Sequence, residues 1–192
     1  MEATYRALCT HGYANLTIDR IGREFSKSKS LLYHHYDGKD DLLVDFLEFL
    51  LERFESRVVF DESDDAYARL QSLFDKVLDP SLPVDARDFT SAMIELRAQA
   101  AHDEAYRAQF DRTDELFRAR IEDIVSQGIE SGTFREVDAE QVASFVHTLL
   151  DGVMLERVTA ERPDVEHVRA ELDGYVERRL LASSDDRTST PD

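Results

Sequence analysis

The sequence predicts an all-α protein of about nine helices. Apolar residues recur at helical spacing along nearly the whole chain, and no sustained alternating run of β-branched residues is present. The 192 residues include only seven glycines and four prolines, which favours long helices over a turn-rich β fold. A hydrophobic content of 42% is sufficient for a core in one large domain or two small ones.

Local signals place the ends of these helices. Gly12 suits a left-handed C-terminal cap for the first helix, while Thr17 and Ser28 are the expected N-caps of the second and third. The polar segment 183–192 has no periodicity, so a disordered tail is expected there. The predicted helices cover residues 1–11, 18–25, 29–36, 39–60, 64–78, 83–101, 103–131, 137–159 and 164–181.

The charge of the chain reverses after residue 39. The first 39 residues carry a net charge of +2 and the remainder −20, within an overall −18. Only four lysines occur, and Lys27, Lys29 and Lys39 lie in one short segment. An acidic protein that concentrates its lysines in this way is expected to use the segment on a polyanion.

Several classes of protein are disfavoured. The single Cys9 cannot form an intrachain disulfide, which favours a reducing, cytoplasmic location. No window is apolar enough for a membrane span. The motifs of serine hydrolases, P-loop proteins and dinucleotide-binding enzymes are missing, so we expect no enzyme and no cofactor. The six histidines lack metal-type spacing, so no metal site is expected.

The 41 acidic residues are dispersed rather than clustered. We interpret this as adaptation to a cytoplasm of high salt concentration, where carboxylates keep the surface hydrated and salt screens their repulsion. The alternative is an acidic surface that binds cationic ligands.

We therefore expect the protein to lose helicity when it is dialysed from molar salt to low ionic strength, because unscreened repulsion then opposes the compact state. Circular dichroism at 222 nm checks this, and a spectrum that does not change with salt would contradict it.

The segment 16–43 contains the most specific pattern. Two short helices joined by a tight turn, the second opening with Ser28-Lys29-Ser30, describe a helix-turn-helix. In this unit, small or basic residues at the start of the second helix reach base edges, while hydroxyls and cations further along hold phosphates. Leu32 and Tyr36 are expected to face inward.

This segment resembles the TetR/AcrR family of transcriptional regulators. The matching residues are Gly12-Tyr13, Thr17-Ile18, Ile21-Gly22, Ser28-Lys29-Ser30, Leu32-Tyr33, His35-Tyr36, Lys39 and Leu42. Family members usually have more residues before the first helix, so the start is expected to be truncated or the helix a turn short. The stretch 129–155 also resembles the start of the family's dimer-forming region, through its G-x-F-R-x-x-D turn at 132–138 and Asp151-Gly152.

The resemblance implies particular DNA contacts. Lys29 and Ser30 would touch bases, with Ser30 in place of the family's glycine and therefore a changed sequence preference. Lys27 lies in a turn that lacks the usual glycine and is expected to project toward DNA. The full set of predicted DNA-binding residues is Thr17, Lys27, Ser28, Lys29, Ser30, Tyr33, His34, His35 and Lys39.

The rest of the chain is expected to bind a ligand and a second copy of itself. The predicted domains are therefore a DNA-binding domain at 1–46 and a ligand-binding and dimerisation domain at 47–182. Apolar stripes supply candidates for a small hydrophobic effector, namely Phe89, Met93, Leu96, Phe110, Phe117 and Ile121, although ordinary core packing explains the same stripes. Candidates for the homodimer interface are Phe145, Leu149, Gly152, Val153, Leu172, Tyr175, Val176 and Leu180.

The combined prediction is a homodimeric repressor that binds double-stranded DNA at a palindromic operator and is released by the effector. The predicted helix 39–60 would transmit the conformational change from the effector site to the DNA-binding helices. Two alternatives stay open: a helical carrier or enzyme for hydrophobic molecules with a non-functional DNA-binding head, and a protein-interaction module that uses the acidic helices.

Overall fold

The computed structural model describes residues 1–25, 30–57, 63, 65–79 and 84–182, apart from the side chains of 55–57 and 84–85. The predicted all-α fold is confirmed: this part of the chain holds nine α-helices and no strand. The helices are α1 (Glu2–His11), α2 (Ile18–Glu24), α3 (Ser30–His35), α4 (Lys39–Arg57), α5 (Ala66–Val77), α6 (Val84–Gln99), α7 (Glu104–Glu130), α8 (Ala139–Thr159) and α9 (Val165–Tyr175).

Two short elements were not predicted. A 3-10 turn, Tyr13–Asn15, follows α1, and a π-helical turn, Val176–Leu180, continues α9. The sequence analysis had extended α9 to residue 181 as a regular helix. The N–H of Leu181 instead donates to the carbonyl of Val176, five residues earlier, at 2.9 Å.

The described residues form two compact units. Unit 1 holds the described residues within 1–57 and 84–113, and unit 2 holds residues 63, 65–79 and 114–182. The predicted tail, 183–192, lies outside the described residues. Unit 1 therefore includes α6 as well as α1 to α4. Phe89, Met93 and Leu96 of α6 belong to one core cluster with Ile21 of α2 and Phe46 of α4.

Unit 2 has its own apolar interior, to which α5, α7, α8 and α9 contribute. Its most buried side chains include Leu70, Phe74, Ile121, Ile124, Val125, Val146, Leu150, Leu172, Val176 and Leu180.

After α7, Gly132 turns the chain with a φ of 72°. The N–H of Arg135 then donates to the carbonyl of Leu180 at 2.7 Å, and the N–H of Ala182 donates to Thr133 at 3.0 Å. These bonds fasten the turn to the end of the last described helix.

Candidate DNA-binding and effector sites

The first two helices are set by local signals. Gly12 ends α1 with φ 67° and ψ 161°, so the predicted positive φ is present, but ψ lies far from the left-handed helical value. The chain enters the Tyr13–Asn15 turn directly from this glycine. Thr17 is the N-cap of α2, as predicted, and its side chain accepts a hydrogen bond from the N–H of Arg20 at 3.2 Å.

Helix α3 has an inner and an outer face. Leu32 is 8% exposed and belongs to the core cluster of unit 1, whereas Tyr33 is 59% exposed. Ser30, His34 and His35 are also exposed. An exposed tyrosine of this size contributes little to the core, so its hydroxyl and ring are available to a partner.

Lys39 begins α4 beside this face. Its Nζ lies 4.2 Å from the centroid of the Tyr13 ring and 3.9 Å from Oδ1 of Asp40. The Tyr13 hydroxyl donates to the same carboxylate at 3.2 Å. Burial, followed by the charge of Asp40, raises the pKa of Tyr13, so the phenol stays a neutral donor at physiological pH. The ring and the carboxylate both attract the Lys39 ammonium group and restrict its position.

Lys27, Ser28 and Lys29 lie outside the described residues. Of the nine predicted DNA contacts, six are placed: Ser30, Tyr33, His34 and His35 are exposed on α3, Thr17 is exposed at the start of α2, and Lys39 begins α4.

The predicted effector residues fall into two groups. Phe89, Met93, Leu96 and Phe110 are at most 7% exposed and pack in the core cluster of unit 1. Ile121 is fully buried in unit 2, whereas Phe117 is only half-buried there. The ring of Phe117 lies 5.7 Å from that of His147.

The predicted dimer residues also separate by burial. Val153, Leu172, Val176 and Leu180 are at most 3% exposed within the protomer, which leaves them little surface for a partner. The exposed or half-buried members are Phe145, Leu149, Gly152 and Tyr175. The rings of Phe145 and Tyr175 lie 4.8 Å apart on neighbouring helices.

Two features of the structure were not predicted from the sequence. Glu95 of α6 accepts a hydrogen bond from the backbone N–H of Tyr13, although the two residues are far apart in the sequence. In unit 2, Asp114, His147 and Asp151 converge, with their ligand atoms all within 4.8 Å of one another. The contact of Glu95 with Tyr13 and the approach of Asp114 to His147 have no local sequence signal, because each joins residues of separate elements.

None of the described helices is long and apolar enough to cross a membrane.

Comparisons with known proteins cover nearly the whole chain. A family model described as "Bacterial regulatory proteins, tetR family" matches residues 1–46, and one described as "BetI-type transcriptional repressor, C-terminal" matches 46–181. The HTH-type transcriptional repressor AcnR of Corynebacterium glutamicum is 25% identical over 185 residues, which cover 93% of this chain and 91% of that protein.

Solved structures agree with these matches. A TetR transcription regulator from Haloarcula marismortui is 39% identical, with a TM-score of 0.84 over 94% of this chain and 95% of its own. A regulator from Saccharomonospora viridis, solved in complex with choline, shares the fold at 23% identity, with a TM-score of 0.78 over 95% of each chain. The resemblance noted in the sequence is therefore confirmed, and the chain belongs to the TetR family of DNA-binding transcriptional regulators.

Proposed function

We propose that the protein is a ligand-responsive repressor that binds a near-palindromic operator as a homodimer. The observation that carries this proposal is the surface of α3, where Leu32 is buried while Ser30, Tyr33 and His34 point outward. A helix that buries one side in a three-helix unit and exposes hydroxyls and imidazoles on the other fits a major groove. A reducing cytoplasm, where the DNA lies, is the compartment that suits the exposed Cys9 thiol.

The contacts divide by role. Ser30, together with Lys29, reads base edges near the start of the recognition helix. Tyr33, His35 and Lys39 hold phosphates, and His34 serves either role. When most of the affinity for DNA comes from such phosphate contacts, the affinity falls as the salt concentration rises.

The charge reversal limits the distance over which these residues attract DNA. A net charge of −18 repels DNA at long range, and the similarity to the Haloarcula protein supports a host with high internal salt. At about 1 M salt the Debye length is about 3 Å. The lysines that lie close to α3 in the sequence therefore act by direct contact and contribute little to long-range attraction.

The homodimer forms through a groove on α8 and α9. Phe145, Leu149 and Tyr175 line it, and Phe145 is 46% exposed. Glu171 and Arg178 lie on the same groove, 3.7 Å apart. A two-fold interface presents the same patch twice, so it can pair these opposite charges across the axis while it covers the apolar side chains.

Replacing Phe145 with aspartate is expected to dissociate the dimer, because a carboxylate would be buried against apolar side chains. Sedimentation velocity at fixed salt should show the wild type as a dimer and Phe145→Asp as a monomer. Leu116→Asp is the matched control, since Leu116 is 47% exposed and lies outside the groove. Dimers of equal affinity in all three proteins would refute this interface.

The effector is a small hydrophobic molecule bound among the helices that carry the predicted apolar stripes. Phe117, half-buried in unit 2, is the candidate most able to touch it. The effector can lower the affinity for DNA only because it binds the released conformation of the dimer more tightly than the DNA-binding conformation. This difference in binding free energy is typically ~1–3 kcal/mol.

Within unit 1, we propose that α6 acts together with α4, the helix predicted to transmit the change, because α6 contacts both α1 and α4. The Glu95 carboxylate holds the N–H of Tyr13 at the end of α1. Tyr5 of α1 also packs 6.5 Å from Phe89 of α6, measured between ring centroids. A shift of α6 would therefore move α1, which packs on α2.

Glu95→Ala is expected to weaken the response to the effector, because α6 would lose its bond to Tyr13. Operator affinity without effector should change by less than about threefold, whereas the fold-loss of affinity on adding saturating effector should shrink. Fluorescence anisotropy with labelled operator measures both. An unchanged response would show that coupling does not pass through this bond.

The function is tested by capturing fragmented genomic DNA from the source organism with the intact protein at the salt concentration of its cytoplasm. A few discrete fragments that share an inverted repeat are expected. Uniform recovery across the genome, or no recovery, would overturn the proposal.

A further inference from the structure

A buried cluster of potential metal ligands lies in unit 2, between α7 and α8. His147 and Asp151 are one turn apart on α8, and Asp114 reaches them from α7. Their ligand atoms all lie within 4.8 Å of one another. The side chains of His147 and Asp114 are only 9% and 16% exposed.

A ring nitrogen of His147 faces the Asp114 carboxylate. This Nε2 atom lies 3.6 Å from Oδ1 of Asp114, which is beyond a direct hydrogen bond but close to the spacing of two donors on one metal ion. Ligand bonds of about 2.0–2.2 Å in a tetrahedral site place neighbouring donors about 3.3 Å apart. Small side-chain movements would therefore close the three groups around a cation.

The donor set favours a divalent transition-metal ion. Imidazole nitrogen and carboxylate oxygen are both common ligands of such ions. One imidazole with two carboxylates suits Zn²⁺, Mn²⁺, Co²⁺ or Fe²⁺ rather than Ca²⁺, which takes six to eight oxygen ligands. Three protein ligands would also leave a coordination position open.

We propose that Asp114, His147 and Asp151 form a binding site for a divalent transition-metal ion. The site does not depend on DNA binding or on the identity of the effector. It would tie α7 to α8 within unit 2, beside the Phe117 ring. The competing explanation is a direct polar contact among the three side chains, with no metal bound.

The test uses the full chain, stripped with EDTA and dialysed into metal-free buffer with 1 M KCl. The high salt suppresses loose counter-ion binding to the acidic surface. Co²⁺ is titrated while visible absorption and heat are recorded, and Zn²⁺ and Mn²⁺ are tested by thermal unfolding. Asp151→Asn and His147→Gln are the site variants, and the first serves if the buried histidine variant fails to fold.

His167→Gln is the matched control. His167 also has a carboxylate partner, with Nδ1 2.5 Å from Oδ1 of Asp164, but this pair is exposed and lies outside the cluster of three. A variant there removes a histidine beside an aspartate without touching the proposed site.

We expect one Co²⁺ per protomer with a visible absorption band, and a rise in Tm of about 5 °C or more with saturating metal. Asp151→Asn and His147→Gln should weaken binding at least tenfold, and His167→Gln should leave it unchanged. Absent binding, or weak binding of several ions that the site variants do not alter, would overturn the proposal and favour a polar contact without metal.

Discussion

Tyr33→Ala is expected to weaken operator binding by about 10- to 100-fold, because in the proposed complex the phenol hydroxyl donates to a charged phosphate and such hydrogen bonds contribute about 1.5–3 kcal/mol. The loss should be similar for the operator and for unrelated DNA, since a phosphate contact carries no sequence information. The slope of log K against log salt should stay the same, because tyrosine adds no cation. Anisotropy titrations at several salt concentrations measure both quantities.

Two controls separate this effect from misfolding. Tyr33→Phe removes only the hydroxyl, so it should reproduce most of the loss. His102→Ala alters another exposed side chain of unit 1, outside α3, and should change nothing. Tyr33 is 59% exposed, so the Tm of Tyr33→Ala should match the wild type. Full affinity in Tyr33→Ala would show that α3 does not contact the backbone at this position.

Gly128→Ala is expected to destabilise unit 2 by about 2–3 kcal/mol and to lower its Tm by about 5–10 °C. A Cβ at residue 128 would lie 2.0 Å from Cδ2 and 2.4 Å from Cε2 of Phe134. The Phe134 ring is 2% exposed and its backbone N–H donates to the carbonyl of Gly128 at 2.8 Å, so the ring cannot move away freely. Thermal unfolding followed by circular dichroism measures the effect.

Gly38→Ala is the control for this change, because a Cβ there meets nothing within 4 Å. It should alter the Tm by no more than about 1–2 °C. If Gly128→Ala were as stable as Gly38→Ala, then the Phe134 ring would have to repack at little cost. The close approach of this ring to the end of α7 would then not require a glycine at residue 128.

The parts of the fold with local signals could be predicted from the sequence. Thr17, which precedes an apolar helical stripe, predicted the start of α2, and Gly12 predicted the end of α1. The 3-10 turn at 13–15 and the π-helical turn at 176–180 could not, because both depend on hydrogen bonds with elements elsewhere. In the 3-10 turn, the N–H of Tyr13 donates to the Glu95 carboxylate. In the π-helical turn, the carbonyl of Leu180 accepts from the N–H of Arg135.

Long-range packing explains the remaining differences. Phe89 and Met93 were predicted as effector contacts because they form an apolar stripe, yet a stripe does not tell which helices cover it. They pack in unit 1, whose core reaches Ile21 in the DNA-binding head. Likewise, His147 looked isolated in the sequence, and only the pairing of α7 with α8 brings Asp114 to it. Periodicity therefore predicted the helices, but not their neighbours.

The most direct test of the central claim is selection of bound sequences from random double-stranded DNA by the intact protein at high salt. A homodimer with α3 in the major groove should enrich an inverted repeat whose half-sites lie about one helical turn, ~34–36 Å, or a multiple of it apart. Ser30→Ala should alter the preferred bases without changing the spacing. No enrichment, or enrichment of a motif without two-fold symmetry, would contradict the account of this chain as a dimeric operator-binding repressor.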